Sequence, residues 1–283
     1  MRILIIGAAG FIGSRLVEIS SQRNFDIVAL SRKNVSLPSR VSWFKWALGE
    51  PIPEAALKDV DVAIYLAHDF DGLTGAETTR DATVAAFTNA AKAGIKRQIF
   101  FSSYSAGQHA DSVYGRTKYE IETEIRKVTG SIIVRPGLVI GAGGLYGRIQ
   151  KFAKRLPILV LPEGGKGLIP VIHLDVLCQK TLNLVEAKKS MAEANLFYKE
   201  PITLRQLVFN ACGQPNKTPW ILAVPTRLLL RLITFCELIH LPLPVSADNL
   251  KGFIANQHAK HEPTQFMESD EDTLTMANRD HEY

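Results

Sequence analysis

A phenol, an ammonium group and two hydroxyls occur close together near the middle of the chain. Ser102 and Ser103 follow the apolar run Arg97–Phe101, which is typical of a buried strand. Tyr114 and Lys118 lie in a segment with helical periodicity, so their spacing puts them on one helix face. Tyrosine has a pKa near ~10, too high for a base at neutral pH, but a nearby ammonium favours the phenolate. Proton transfer is one interpretation of this pair, and a surface pair without a role is the other.

A second group of residues could bind phosphate. The apolar run Ile3–Ile6 stops at Gly7, glycines recur at Gly10 and Gly13, and a helical pattern follows. The N-terminus of a helix exposes unpaired N–H groups that suit a pyrophosphate, and glycines let the backbone come close to it. A glycine-rich surface turn is the alternative. Because the glycines stand between a strand and a helix, we predict a dinucleotide site.

The residues after the second apolar run bear on which dinucleotide binds. Asp26–Leu30 is followed by Ser31, Arg32 and Lys33. An acidic residue at this place would bond the ribose 2′-hydroxyl of NAD, whereas a guanidinium suits the 2′-phosphate of NADP. An exposed loop arginine with no ligand is the alternative. The sequence favours NADP, with NAD possible.

Strand and helix patterns alternate through the first half of the chain, which predicts a doubly wound, parallel α/β sheet. His68 follows the fourth strand at the edge where ligands bind in such sheets; it either contacts the cofactor ribose or is a polar residue without a role. The remaining patterns are strands at Val41–Trp46, Asp61–Ala67 and Ser131–Pro136 and a helix at Thr78–Ala93.

Taken together these motifs resemble the short-chain dehydrogenase/reductase superfamily, in its extended and atypical branch of epimerases and dehydratases. The resemblance rests on Gly7-x-x-Gly10-x-x-Gly13, Ser102-Ser103, Tyr114-x-x-x-Lys118, Arg135-Pro-Gly137 and Pro170–Asp175. It covers residues 1 to about 180 and continues more weakly to about 255. It implies a Rossmann-type sheet over residues 1–140 and a smaller substrate-binding part intertwined with it over 141–257, while the composition predicts a polar acidic tail over 258–283.

The resemblance also implies roles for individual residues. Tyr114 would be the general acid/base, Lys118 would hold the nicotinamide ribose, and Ser103, or alternatively Ser102, would bond the substrate oxygen. The expected cofactor-binding residues are Gly7, Ala9, Gly10, Phe11, Ile12, Gly13, Ser31, Arg32, Leu66, Ala67, Ser102, Lys118 and Pro136. The chain departs from the family pattern in its short spacing from Ser103 to Tyr114, in Lys45–Leu48 where an aspartate is usual, and near Thr79 where an asparagine is usual.

The predicted substrate is a small molecule, and the leading class is a nucleotide sugar. Val224–Leu250 is similar to the C-terminal part of polysaccharide-associated sugar epimerases, and basic residues cluster between Arg148 and Lys166. We therefore predict an NAD(P)-dependent oxidoreductase, epimerase or dehydratase. A dinucleotide-binding redox sensor or assembly factor without turnover is the alternative. The resemblance also suggests a homodimer.

Composition narrows the remaining classes of protein. The net charge is +5, but residues 258–283 carry −5 and the rest +10, without the density typical of a nucleic-acid surface. Three scattered cysteines and a strand that begins near the first residue predict a cytoplasmic protein. The apolar stretch 221–243 is too interrupted for a stable membrane insertion and predicts a buried or amphipathic helix over about Thr226 to His240, with transient membrane contact as the alternative. His258 and His261 are interpreted as incidental, and no metal is expected.

Overall fold

The structure is a computed structural model that describes residues 1–33, 40–188, 191–213, 219–256 and 261–264. Most of the predicted acidic tail, His258 included, lies outside the described residues. The chain forms two compact units. The first contains Met1–Arg135 and Leu174–Ala194, and the second contains Pro136–His173 and the residues from Asn195 onward.

A seven-stranded sheet dominates the fold, in the order β11-β6-β5-β4-β1-β2-β3. The pairs from β3 across to β6 are all parallel. This order reverses at β1, which confirms the predicted doubly wound sheet of Rossmann type. The strands are β1 Arg2–Ile6, β2 Asp26–Ser31, β3 Val41–Lys45, β4 Val62–Tyr65, β5 Arg97–Phe101, β6 Ser131–Pro136, β7 Leu138–Ile140, β8 Ile158–Pro162, β9 Leu168–Ile169, β10 Val171–His173, β11 Glu193–Leu196, β12 Ile202–Thr203 and β13 Trp220–Val224.

The helices cover the strands, so the central strands are buried on both faces. Every residue of Ile3–Ile6 is at most 2% exposed, which explains why β1 is an unbroken apolar run rather than an alternating one. The helices are α1 Phe11–Gln22, α2 Glu54–Leu57, α3 Gly72–Lys92, α4 Val113–Ile125, α5 Gly144–Ala153, α6 Leu174–Glu186, α7 Leu204–Cys212, α8 Thr226–Leu238 and α9 Ala247–Asn256.

Helix α3 is longer than its sequence pattern indicates. It begins at Gly72, which has a φ of +56°, rather than at Thr78. The hydroxyl of the buried Thr79 accepts a hydrogen bond from the Asp69 N–H at 2.9 Å, and this bond holds the loop that leads into the helix. Periodicity missed the first turn of α3 because its residues are polar, small or exposed.

Helix α6 belongs to the first unit, where it packs against α1. Asp175 lies in the first turn of α6 rather than before it, and its carboxylate binds the Arg15 guanidinium through both oxygens at 2.7 Å. Asp175 therefore anchors α6 to α1. His173 lies in the second unit, where its Nδ1 atom is 3.0 Å from the Tyr198 hydroxyl.

The second unit is built from short paired strands and helices. β7 pairs with β10 in parallel, β9 with β12 antiparallel, and β8 with β13 in parallel. Helix α5 packs against α7, whose N-terminus has a capping box formed by Thr203 and Gln206. No helix in the described ranges is long and apolar enough to cross a membrane.

Candidate active site

The three glycines after β1 form a turn that excludes side chains. Gly7 has a φ of +93°, its N–H donates to the Leu30 carbonyl at 3.0 Å, and a Cβ on it would lie 2.8 Å from the backbone nitrogen of Ala67. A Cβ on Gly13 would overlap the carbonyl oxygen of Gly7. The Gly10 N–H donates to the same oxygen at 2.9 Å. The close approach of α1 to β1 therefore requires glycine at the first and third positions.

Helix α1 begins at Phe11, directly after Gly10. Among the described residues no side chain caps this end, and its first turn carries no acidic group. Ala9 and Gly10 are exposed, and Phe11 and Ile12 are partly exposed. The N–H groups of the first turn and the positive dipole end thus lie at accessible residues without a capping side chain, so these residues fit the dinucleotide predicted from the sequence.

At the end of β2 the predicted ribose contacts divide into two kinds. Ser31 is buried, its hydroxyl donates to the Lys33 carbonyl at 2.8 Å, and it accepts from the Trp43 indole at 2.9 Å. Arg32 and Lys33 are exposed. The hydroxyl is occupied within the protein, and the two cations are accessible to a ligand.

At the end of β4 the chain passes next to the glycine turn. The Leu66 N–H donates to the Ile6 carbonyl at 2.8 Å, and Leu66 and Ala67 are partly buried. The Nδ1 atom of His68 is buried and has no hydrogen-bond partner within the described part of the chain. Burial, together with the charge of Lys118, lowers the pKa of His68 to about 2, so its ring is neutral.

Tyr114 lies in the first turn of α4, where its side chain is only partly exposed. It forms a side-chain hydrogen bond with Ser103. The Ser103 hydroxyl is also 2.9 Å from that of Ser105, and it accepts from the Ser105 N–H at 3.2 Å. Burial raises the pKa of Tyr114 to about 12, and the bond with Ser103 acts in the opposite direction. The group that lowers this pKa is thus Ser103, whereas the sequence suggested Lys118.

Lys118 lies one helical turn after Tyr114 and is 3% exposed. Its Nζ donates to the Phe101 carbonyl at 2.8 Å and lies 5.6 Å from the centre of the Tyr114 ring. Burial lowers the pKa of Lys118 to about 7, and the charge of Glu122 acts to raise it. The structure thus brings together Ser103, Tyr114 and Lys118 at the carboxyl end of β5.

A buried ionic network lies beneath this group, and sequence reasoning missed it. Glu122 is fully buried and accepts from Arg135 through both oxygens at 2.7 and 2.8 Å. It also accepts from the Ser102 hydroxyl at 2.5 Å and from Arg126 at 2.9 Å. Glu193 completes the network through Arg135 and Arg126. The sequence does contain one signal for this network: Lys118 and Glu122 are four residues apart, which places Glu122 on the same face of α4 as Lys118.

The network distinguishes the two serines. The Ser102 hydroxyl is buried against Glu122, while Ser103 is partly exposed and contacts Tyr114. Pro136, the last predicted cofactor contact, ends β6 and is assigned to the second unit.

Comparison with known proteins bears on the fold and on the NAD(P)H-binding domain. Residues 7–128 match a family model described as NAD(P)H-binding, and no curated protein matches the chain in sequence. MoeE5 in complex with UDP-glucose and NAD is 19% identical, with a TM-score of 0.68 over 80% of this chain and 85% of that one. The UDP-N-acetylglucosamine 4-epimerase from Bacillus cereus is 14% identical, with a TM-score of 0.65 over 80% and 85%.

A third similar structure is the UDP-glucose 4-epimerase of Thermotoga maritima with UDP-glucose, 16% identical, with a TM-score of 0.62 over 91% of this chain and 99% of that one. Identities this low show the fold. The predicted resemblance is thereby confirmed for the NAD(P)H-binding domain and for the fold.

Proposed function

We propose that this chain is an NAD(P)-dependent oxidoreductase, epimerase or dehydratase that acts on a carbinol or ketone. Its NAD(P)H-binding domain and its fold, which is that of short-chain epimerases and dehydratases, support the proposal. One observation carries the proposal. The Tyr114 hydroxyl is hydrogen-bonded to Ser103, and Lys118 follows one turn later at the edge of a parallel sheet where ligands bind. The glycine turn after β1 belongs to the same compact unit.

In this mechanism the glycine turn after β1 and Lys118 would hold the dinucleotide, which would supply hydride exchange with the carbon of the substrate. Tyr114 takes the proton from the carbinol oxygen during oxidation and returns it to the oxygen during reduction. Ser103 hydrogen-bonds the same oxygen and stabilises the charge that develops on it. Because the pKa of Tyr114 is about 12, the phenolate needs a cationic neighbour, and we assign this role to Lys118, whose Nζ lies 5.6 Å from the centre of the ring.

The preferred cofactor in this proposal is NADP, although NAD fits the same turn. Support comes from Arg32 and Lys33, which are exposed just after β2. The Ser31 hydroxyl is occupied by Lys33 and Trp43 and is a poor candidate for a ribose contact. A guanidinium can bond a phosphate through two parallel N–H groups, which gives Arg32 the larger share of the preference.

The proposed substrate class is a nucleotide sugar. Support comes from the solved structures with this fold, among them complexes with UDP-glucose and UDP-glucuronic acid. Arg148 and Lys151 on α5 are exposed basic residues of the second unit that could attract a diphosphate. We assign substrate binding to the residues of the second unit that lie within 141–257. A homodimer remains a prediction from the family resemblance.

The test is turnover of a panel of UDP-sugars by the purified chain with each cofactor. Wild-type protein should convert at least one of them, and Tyr114→Phe should lower kcat by about 10²–10⁴-fold at unchanged cofactor affinity. Tyr119→Phe, on the same helix, is the matched control and should keep full activity. Equal turnover by Tyr114→Phe and wild type would refute the assignment of Tyr114.

The raised pKa of Tyr114 favours a second candidate, a dinucleotide-binding sensor or assembly factor without turnover. Such a protein would bind NADPH or NADH and convert nothing across a broad panel of sugar nucleotides, ketones and alcohols. Its biological function would also survive Tyr114→Phe, so the same variant distinguishes the two candidates.

A further inference from the structure

The second unit exposes large apolar side chains on two neighbouring elements. The first is the ribbon of β8 and β13, in which Trp220 pairs with Ile158 and Leu222 with Val160. Alternate residues of a strand lie on one face, so these four share one side of the ribbon. They are between 44% and 80% exposed, with Trp220 the most exposed. A ribbon face of this composition is a candidate interaction surface.

The second element is α8, which contacts β8. Four apolar residues recur along α8 and the turn after it at intervals of four, three and four, namely Leu228, Leu232, Phe235 and Ile239. These intervals place them in one stripe along the helix. All four are between 48% and 59% exposed, while Leu229 is buried at 8%. The helix therefore packs on the unit with another face and leaves its apolar stripe uncovered within the described chain. These four residues and the four of the ribbon are called the apolar surface below.

The charges around the apolar surface have one predominant sign. Arg227 and Arg231 are exposed on α8, and neither forms an ion pair within the described ranges. Lys154 and Arg155, exposed just before β8, likewise form none there. Cations without partners beside an apolar surface are complementary to a layer that is apolar inside and anionic outside.

The nearby carboxylates are used inside the protein. Glu163 accepts from the backbone N–H of Thr226 at 3.0 Å at the start of α8. Glu237 accepts from the N–H of Ala247 at 2.9 Å at the start of α9. Both acids therefore stabilise helix starts, and they are outnumbered by the exposed basic side chains of Arg227, Arg231, Lys154 and Arg155.

We propose that the apolar surface docks this protein on an anionic phospholipid bilayer, with α8 lying in the plane of the interface. Its 13 residues span about 20 Å along the axis, which suits a helix lying on the membrane rather than across it. Trp220 is suited to the headgroup level, where an aromatic ring has an apolar and a wet side. A second copy of the chain fits less well, because a self-complementary contact through α8 would bring the unpaired cations Arg227 and Arg231 of both copies to one interface.

The experiment is co-sedimentation of the full chain with vesicles of phosphatidylcholine, with and without about 30% phosphatidylglycerol. We expect binding to the anionic vesicles, weaker binding to the neutral ones, and a decrease at high salt because the charges are screened. Absence of sedimentation with the anionic vesicles would overturn the proposal. Cofactor binding, followed by NADPH fluorescence, reports the separate function of the first unit and should not change with vesicles.

Two variants and a control make the test specific. The double variant Leu232→Glu/Phe235→Glu should weaken vesicle binding about tenfold or more, since it places two charges in the stripe. The double variant Arg227→Ala/Arg231→Ala should lose the preference for anionic vesicles. Leu73→Glu, at a similarly exposed leucine of α3 in the first unit, should bind as wild type does.

Two results would contradict the assignment of this surface even if sedimentation occurs. Vesicle binding by Leu232→Glu/Phe235→Glu equal to that of wild type would place the membrane contact elsewhere. A dimer in analytical ultracentrifugation that this variant dissociates would assign the apolar surface to a second copy of the chain. Thermal unfolding and NADPH titration check that each variant is folded. We expect all variants to fold because the substituted side chains are exposed.

Discussion

The imidazole ring of His68 stands edge-on to the phenol ring of Tyr114, with ring centres 4.9 Å apart and planes at 79°. The largely exposed ring of Phe70 contacts the same imidazole at 4.4 Å. A neutral ring thus lies beside the phenol, with Nδ1 unpartnered among the described residues. His68, which the sequence left open between a ribose contact and no role, therefore borders the candidate acid/base group.

His68 should make the protein less stable as the pH falls. Its pKa is lowered to about 2 in the folded chain and is near ~6.5 when unfolded, so the unfolded state binds more protons between these values. The free energy of unfolding should therefore decrease from pH ~6.5 to ~5, and His68→Phe should flatten this slope. Urea unfolding across this range measures it, with His109→Phe, at an exposed histidine, as control. An equal slope in His68→Phe would show that the ring is solvated.

Ser103→Ala and Ser102→Ala should have different effects. Ser103 contacts the Tyr114 hydroxyl, so its loss should lower kcat with little change in stability. Ser102 donates to the buried Glu122, so its loss should destabilise the fold by about 1–3 kcal/mol. Turnover and urea unfolding, measured on both variants, separate the two roles. A catalytic loss confined to Ser102→Ala would exchange the roles of the two serines.

Gly13→Ala should weaken both the fold and cofactor binding. The added Cβ would overlap the Gly7 carbonyl oxygen, so α1 must move away from the turn at a cost of about 1–3 kcal/mol. The N–H groups of the first turn would move with it, and NADPH affinity should fall. Fluorescence titration and thermal unfolding measure the two effects, with Ser14→Ala, at the exposed next residue, as control. Unchanged affinity in Gly13→Ala would place the diphosphate elsewhere.

Arg32→Ala should weaken NADPH binding and leave NADH binding almost unchanged, because only NADP has the 2′-phosphate. A charge-assisted hydrogen bond to an exposed site is worth about 1.5–3 kcal/mol, or roughly 10–150-fold in Kd. Lys58→Ala, at an exposed lysine before β4, is the matched control and should change neither affinity. Tighter binding of NADH than NADPH by wild type would assign NAD as the cofactor.

Local patterns predicted the sheet and the glycine turn because each element carries its own signal. β1 reads as a strand since every residue of Ile3–Ile6 is buried, and Gly13 is required by a contact with Gly7, six residues away in sequence. The helical spacing of Tyr114 and Lys118 is likewise local. The structure places both on α4, as the periodicity indicated.

Contacts between distant segments carried no such signal. The pairing of Glu122 with Arg135 depends on how α4 packs on β6, and residue types alone do not give that packing. The sequence left α8 as buried or amphipathic, and only the fold of the second unit shows that the stripe from Leu228 to Ile239 is exposed. The raised pKa of Tyr114 could not be predicted either, because it results from burial of the side chain in the folded chain.

Tyr114, Lys118 and Glu122 recur at every fourth position of α4, so one helix face carries the phenol, the ammonium and the buried carboxylate. Arg135 and Ser102 bind the carboxylate from β6 and from the end of β5, which fixes the rotation of the helix about its axis. Inserting one residue between Lys118 and Glu122 would turn the two halves of this face by about 100° relative to each other. This stretch should therefore tolerate many substitutions on its outer side but no change in length.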